Sequence, residues 1–329
     1  MAAILPAAAL DGYRRFSLYN SPFPAHERGH AVDLYPRGGR RRVVAPSPVA
    51  GTVRETLTVG APSRPYAAAD DHLLLIDVDP AASGLRVEGG GADGGDGNGG
   101  GAPALGDLVA RVLHVDPAVG AGDRVAVGDP LGETVRSGFF APWVADHLHL
   151  GFRPAGRDLR RAAGSVRLSV DVGVEPRPWD GTGRVAAAGE TYVVLDAPEH
   201  PAPGDRWVGV GGAVGRPGAA GRGGARGGSE GADAALDGGL PHYRGGGAHG
   251  VGRRPDGARV VSLAGTVVGR THGRTVRWRD LAVTANGRPM TGVSLAIGRD
   301  AAFGVKLVSR DGHPFGVGDR VTVAIEGRT

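Results

Sequence analysis

Two histidines in a strand-like segment are the residues of this chain best suited to chemistry. His147 and His149 are separated by one residue within segment 146–152. Because side chains alternate between the two faces of a β-strand, both imidazoles point to the same face of a sheet. A pair presented in this way offers two nitrogen atoms to one metal ion or one substrate. The alternative is a surface or hydrogen-bonded pair that binds nothing.

A second group of polar residues lies near the N-terminus and ends in a carboxylate. His26 and His30 precede Asp33, which enters an apolar segment. The chain contains no cysteine, so disulfides, thiolate zinc sites and cysteine nucleophiles are excluded, and any metal must be held by histidines and carboxylates. A carboxylate beside imidazoles completes a three-ligand site that keeps one position open for water. These residues form the best constellation of metal ligands in the chain.

The polar residues belong to a series of motifs that follow one another between residues 20 and 155. After the His-to-Asp motif come segment 44–53 (VAPSPVAGTV), a lone histidine, His114, segment 122–132 (GDRVAVGDPLG) and the strand 147–150 (HLHL). In this order the motifs resemble those of the lysostaphin-type (LytM-like) zinc metallopeptidases. The resemblance covers less than half of the chain.

The resemblance implies a cofactor and a division of roles. Asp33 and His149 bind Zn²⁺ together with a histidine upstream of Asp33. His114 and His147 flank the activated water and the scissile carbonyl, as base or as stabilisers of the tetrahedral intermediate. These roles suit the chemistry, because zinc lowers the pKa of its bound water to about 7 and a neighbouring imidazole can take or return the proton. The alternative for His114 is an ordinary half-buried histidine.

The first motif departs from the pattern of the family, in which the histidine stands four residues before the aspartate. Here His30 stands three residues and His26 seven residues before Asp33. A regular strand sends His30 and Asp33 to opposite faces. Either a bulge at Ala31 corrects this, or a turn over residues 27–29 brings His26 back to the metal. We favour His26 and keep His30 as the alternative.

Short segments rich in valine and leucine run through the whole chain, and glycine, proline and aspartate separate them. The 329 residues include 60 glycines and 24 prolines, a fraction that a helix-rich protein does not tolerate. The pattern predicts an all-β protein, and the resemblance implies a duplicated-hybrid-motif or LytM-like β-barrel sandwich followed by a second β domain. The strand-like segments are 42–44, 73–78, 108–115, 124–127, 166–174, 191–195, 275–278 and 321–325.

Composition divides the chain further. The resemblance implies a lysostaphin-type metallopeptidase-like β domain over residues 1–155, and we expect a β domain of unknown function over 156–329. Segment 88–103 consists mostly of glycine, alanine and aspartate, and segment 211–257 is rich in glycine and arginine. Both contain too few apolar residues to offset the entropy of ordering them, so they are predicted to be flexible insertions.

Charge and hydropathy limit the classes of partner. The 38 basic and 34 acidic side chains give a net charge of only +4, which does not predict a nucleic-acid partner. No apolar run approaches the roughly 20 residues of a membrane span, and the first ten residues do not form a secretory signal. We therefore expect a soluble, cytoplasmic protein, with an extracellular location left open. The sequence does not predict an oligomeric state.

The function expected from the resemblance is that of a zinc-dependent endopeptidase-like hydrolase. Its substrate would be a glycine-containing or cell-wall-type peptide, or a similar polymer. One alternative is a non-catalytic LytM-like β-barrel that serves as a binding or regulatory module. Another is a phosphocarrier-like duplicated barrel in which a histidine accepts phosphate, although Asp33 and the strand with His147 and His149 fit it less well.

Overall fold

The computed structural model describes residues 2–88, 107–161, 163–215, 233–250 and 258–328. Within these residues the regular secondary structure consists almost entirely of β-strands, with one short α-helix, α1 (Pro24–Glu27), and one 3-10 helix (Ala7–Leu10). The predicted all-β class is therefore confirmed. No helix of the described part has the length and apolar character that a membrane crossing requires.

Contacts between α-carbons divide the chain into two compact units. The first consists of Met1–Phe16 and Arg28–Val172, and the second of Ser17–Glu27 and Gly173–Thr329. The first unit continues past residue 155, where the sequence predicts a boundary, because Arg167–Asp171 pairs in parallel with the first strand of the chain.

The first unit holds thirteen of the described strands, and the largest sheet that they form is antiparallel. They are β1 (Ala2–Pro6), β2 (Tyr13–Ser17), β3 (Val32–Pro36), β4 (Val44–Pro46), β5 (Gly51–Val59), β6 (Asp71–Val78), β7 (Arg86–Glu88), β8 (Leu108–Leu113), β9 (Val115–Pro117), β10 (Arg124–Val125), β11 (Pro130–Thr134), β12 (Leu148–Pro154) and β13 (Arg167–Asp171). The main sheet has the order β10-β5-β6-β8-β12-β3. Two three-stranded groups, β13-β1-β7 and β4-β11-β9, accompany it.

The middle of this sheet is closely packed and holds β12 in place. Leu148 and Leu150 of β12 are fully buried, and each such leucine stabilises the fold by roughly 2 kcal/mol. Leu73, Leu75 and Val109 on β6 and β8 form a further apolar cluster. Because β12 lies between β3 and β8, the two neighbouring strands position the polar residues at its beginning.

The second unit contains a closed barrel. Its described strands are β14 (Val174–Arg177), β15 (Thr182–Gly189), β16 (Tyr192–Leu195), β17 (Trp207–Gly215), β18 (Ala234–Leu240), β19 (Gly245–His249), β20 (Arg259–Leu263), β21 (Thr266–His272), β22 (Thr275–Trp278), β23 (Leu281–Ala285), β24 (Arg288–Met290), β25 (Gly292–Leu295), β26 (Ile297–Gly298), β27 (Lys306–Val308) and β28 (Arg320–Gly327). Six of them close in the order β17-β18-β19-β22-β21-β20, with β20 paired back to β17. This closed ring of six described strands lies in the second unit. The resemblance implies a β-barrel sandwich in the first half of the chain.

Part of the glycine-rich stretch 211–257 is folded. β18 and β19 pair with each other inside it. Glycine serves close packing there, because a Cβ on Gly246 would lie 2.0 Å from the Trp278 ring and one on Gly247 would lie 2.2 Å from the Tyr19 ring. Residues 216–232 and 251–257 of the stretch, and residues 89–103 of the predicted insertion 88–103, lie outside the described residues.

Candidate metal centre

Pairing of β3 with β12 sets Asp33 directly beside His149. The two are register partners in the antiparallel ladder, and His149 Nδ1 lies 3.0 Å from Asp33 Oδ1. Asp33 is only 3% exposed, and a buried carboxylate requires a partner. A tetrahedral zinc site with bonds of about 2.0–2.2 Å separates its ligand atoms by roughly 3.3–3.6 Å. The distance of 3.0 Å between His149 Nδ1 and Asp33 Oδ1 is within a few tenths of an ångström of this ligand separation.

His147 approaches the same carboxylate from the residue just before β12. Its Nε2 lies 3.5 Å from Asp33 Oδ2, and its Nδ1 lies 2.9 Å from the carbonyl oxygen of Ala145. Since a carbonyl only accepts, Nδ1 carries a proton and donates it. The ring stacks on Phe140 at 4.2 Å and lies 4.8 Å from the ring of Tyr35. These contacts fix the orientation of the imidazole.

His26 is the third member of a potential ligand set. It lies on α1, and the turn expected after it is present, with Gly29 in the left-handed conformation at φ +64°, which glycine adopts without steric cost. Its Nδ1 donates to the carbonyl of Leu18 at 3.0 Å. The ligand atoms of His26, Asp33 and His149 all lie within 4.8 Å of one another. This His-Asp-His group could hold a metal ion.

His30, the alternative ligand, lies outside the His-Asp-His group. It is half-buried in the coil that precedes β3. Burial lowers the pKa of His30, and the positive charges of Arg167 and Arg28 lower it further. A ring beside two guanidinium groups is poorly placed to gather a cation. The ladder of β3 begins at Val32 and is regular through Asp33, so it contains no bulge that would turn His30 towards the carboxylate.

His114 lies beside the two histidines in an uncommon backbone conformation. It links β8 to β9 with a φ of +70°. Outside glycine such a value is infrequent and costs free energy, and residues held in this way cluster at functional sites. The centre of its ring lies 5.8 Å from that of His147 and 6.1 Å from that of His149. The fold therefore brings His114, His147, His149 and Asp33 together.

Asp71 fixes the orientation of His114. Its carboxylate is fully buried and lies 2.7 Å from His114 Nδ1. It also accepts hydrogen bonds from the hydroxyl of Ser137 and from the backbone N–H of His72. Burial opposes ionisation of this group, but the three hydrogen bonds outweigh it and hold the pKa of Asp71 below its ordinary value. The ionised carboxylate keeps a proton on His114 Nδ1, so Nε2 is the nitrogen that can accept another.

A loop that follows β11 carries the ring that stacks on His147. Arg136 anchors this loop through hydrogen bonds to the carbonyls of Ala141, Pro142 and Val144. Asp146 lies 3.5 Å from Arg136 and accepts a hydrogen bond from the backbone N–H of Arg42. Burial raises the pKa of Asp146, and the charge of Arg136 opposes that shift. The buried pair thus determines where Phe140 lies.

The sequence analysis missed Asp71, Ser137 and Phe140. Asp71 and His114 are 43 residues apart, and pairing of β6 with β8 brings them together. One signal is visible in the sequence: Asp71 is a carboxylate at the very start of a strongly apolar strand. No recognisable spacing connects it with a histidine.

Comparisons with known proteins give two matches to family models and one weak structural similarity. A model described as the N-terminal domain of a domain of unknown function (DUF8155) matches residues 4–170, and the model of the corresponding C-terminal domain matches residues 175–326. No curated protein matches the chain. A solved structure described as a novel M23 metalloprotease, pseudoalterin, from the deep sea aligns with 44% of this chain and 68% of its own, at 12% identity and a TM-score of 0.25. A TM-score this low does not establish a shared fold.

Proposed function

This chain belongs to the DUF8155 family, and we propose that it is a zinc-dependent hydrolase that cleaves peptide bonds. One observation carries the proposal: two imidazoles and one carboxylate, from His26, Asp33 and His149, offer ligand atoms within 4.8 Å of one another. Two further histidines lie beside this group, and each has one ring nitrogen fixed by a hydrogen bond.

The chemistry of the donor set fits zinc. Catalytic zinc sites commonly use three protein ligands drawn from histidine and carboxylate. Mg²⁺ and Ca²⁺ prefer sites made of oxygen atoms, which two imidazoles do not provide. A histidine that binds a metal usually donates its other N–H to a carbonyl or carboxylate, as His26 does to Leu18. The group would therefore hold zinc through a second nitrogen of His26, a carboxylate oxygen of Asp33 and His149.

The other histidines would handle protons. Zinc, when bound, supplies a Lewis acid that polarises a carbonyl and lowers the pKa of a coordinated water. We assign the general base to His114, because the ionised Asp71 stabilises the imidazolium that forms when Nε2 accepts a proton. His147 keeps its Nδ1–H on the carbonyl of Ala145, so its Nε2, when it carries a proton, can donate a hydrogen bond to an oxyanion that develops nearby.

For the substrate we propose a glycine-containing or cell-wall-type peptide. The order of the motifs in residues 20–155, which resembles that of lysostaphin-type peptidases, supports this choice. A phosphocarrier role is less suitable, because a phosphate on His149 or His147 would lie against the carboxylate of Asp33, and like charges repel. A non-catalytic binding module is the outcome if no metal is bound.

Metal content tests the proposal. Purified wild-type protein and the variants Asp33→Ala, His26→Ala and His30→Ala are analysed by elemental mass spectrometry after equilibration with zinc. We expect close to one zinc per chain in the wild type and in His30→Ala, and strong loss in the other two. A circular-dichroism spectrum of each variant verifies that it is folded. Zinc that stays bound in folded Asp33→Ala, or a wild type that binds none, contradicts the proposal.

A further inference from the structure

A cavity in the second unit is lined by a concentration of positive charge. Its volume is about 750 Å³, within the range of roughly 300–1,000 Å³ that is typical of small-molecule sites. Two acidic residues, Glu27 and Asp280, contribute to its wall, against five arginines: Arg244, Arg277, Arg279, Arg310 and Arg328. None of these residues is among the metal ligands or the histidines that the proposed function uses.

Strand pairing brings the arginines together from separate parts of the sequence. Arg277 on β22 is the register partner of Gly245 on β19, so the strand pairing places Arg244 next to it. Arg279 follows two residues later. The backbone N–H of Arg310 donates to the hydroxyl of Thr291 at 2.9 Å, which holds the segment after β27 at the wall of the same cavity.

Four of the five guanidinium groups have no carboxylate partner among the residues that the structure describes. Arg328 lies 3.7 Å from Asp280, which accounts for one acidic residue of the wall. Elsewhere in the unit Arg206 lies 3.0 Å from a carboxylate oxygen of Glu175. In contrast, four arginines of the cavity make no side-chain hydrogen bond or ion pair within the part of the chain that the structure describes: Arg244, Arg277, Arg279 and Arg310.

The pKa of the histidine in the wall is lowered mainly by burial and further by positive charge nearby. Burial, together with the charges of Arg310 and Lys306, lowers the pKa of His242 to about 4. His242 is therefore neutral at pH 7 and adds no charge to the cavity. The excess charge resides on the guanidinium groups, whose planar forks match the oxygen atoms of phosphate and carboxylate.

We propose that this cavity binds a small anionic ligand that carries at least two phosphate or carboxylate groups close together. A single monovalent anion would leave most of the charge uncompensated, whereas clustered groups would contact several guanidinium forks at once. The ligand would be small, because the cavity limits its size.

Calorimetric titration of the full chain tests this inference. Tripolyphosphate and citrate, which present clustered phosphates and clustered carboxylates, are titrated separately at 0.15 M NaCl. We expect saturable binding at one site per chain for at least one of them. The anion that binds more tightly identifies the oxyanion group of the ligand. Absence of saturable binding for both probes overturns the proposal.

Matched variants locate the binding site. Arg277→Gln combined with Arg279→Gln, and Arg244→Gln alone, remove charge from the cavity. Each should weaken binding by about tenfold or more, because charge-assisted hydrogen bonds are lost. Arg288→Gln removes an exposed arginine of β24 that does not line the cavity, and it should change the affinity by less than about twofold. An equal loss in Arg288→Gln would reveal nonspecific attraction and overturn the assignment.

Discussion

The two candidate sites, the metal centre and the arginine-lined cavity, gather charged side chains in opposite ways. In the first, the buried carboxylates of Asp33 and Asp71 lie 3.0 Å and 2.7 Å from imidazole nitrogens. In the second, five exposed arginines line one cavity, and no described carboxylate pairs with the side chains of four of them. The first arrangement suits a metal cation and proton transfer. The second suits an anion.

Burial explains the difference. A carboxylate removed from water must be paired, because an unpaired buried charge costs several kcal/mol. Its partners are therefore part of the folded structure and set its geometry. An exposed guanidinium group keeps its hydration and needs no partner in the chain. Substitutions in the metal centre should consequently change the rate of peptide cleavage by orders of magnitude. Those in the cavity should change the affinity for anions and the pH dependence of stability.

The largest effect is expected for Asp33→Asn. The amide keeps the shape of the side chain but removes the negative charge that a metal requires, so zinc should be lost together with hydrolysis. We expect a decrease in peptide cleavage of at least about 1,000-fold, measured by mass spectrometry of a glycine-rich peptide after incubation with zinc. Asp77→Asn, at a half-buried carboxylate paired with Arg54, is the control and should retain both zinc and activity. Activity that survives in Asp33→Asn would remove the functional contrast between the two units.

A smaller but still large effect is expected for His114→Ala. The variant should bind zinc like the wild type, because His114 lies outside the His-Asp-His group. Turnover should fall by about 10²–10⁴-fold, the usual contribution of a general base or acid. Zinc content and initial cleavage rates are measured on the same preparation. Loss of zinc in this variant would show that His114 is a ligand, and an unchanged rate would exclude it from catalysis.

Asp71→Asn should have an intermediate effect. Asp71 is a positioning residue, because its carboxylate contacts His114 and not the metal ligands. The amide can still accept a hydrogen bond but does not stabilise an imidazolium, so kcat should fall by about 10–100-fold while KM and zinc content stay the same. A parallel rise in KM, or loss of zinc, would indicate a structural role only. Asp116→Asn, at a largely exposed carboxylate, serves as the control.

The features that the sequence predicts are those that depend on local periodicity. Alternation along a strand is sufficient to place His147 and His149 on one face, and both lie near Asp33. The composition and spacing of the strand-like segments are sufficient for the all-β class. For the first motif the sequence does not decide whether His26 or His30 joins Asp33 as a metal ligand. The choice depends on a turn at Gly29, which only the backbone conformation determines.

The features that the sequence does not predict depend on pairing between distant strands. Asp71 is near His114 only because β6 lies beside β8. The arginines of the cavity come from segments as far apart as Arg244 and Arg328, and no motif connects them. The glycines of β18 and β19 suggest flexibility by composition, but several of them are sites where a large ring such as that of Trp278 packs against the backbone.

The smallest effect concerns His242, whose protonation changes the stability of the protein in a pH range in which that of Asp71 does not. Its pKa of about 4 in the folded chain lies below the ordinary value of about 6.5. As the pH falls from 7 to 5.5, the unfolded chain takes up a proton at this histidine and the folded chain does not, so stability decreases by about 1 kcal/mol. Asp71, whose pKa is below that of an ordinary carboxyl group, stays ionised in this window and contributes stability that is lost only at lower pH.

The variant His242→Gln tests this assignment. Its urea midpoint, followed by tryptophan fluorescence, should depend less steeply on pH between 7 and 5.5 than that of the wild type. The exposed His272→Gln should match the wild type, and equal slopes in all three proteins would contradict the assignment of this pH dependence to the cavity of the second unit.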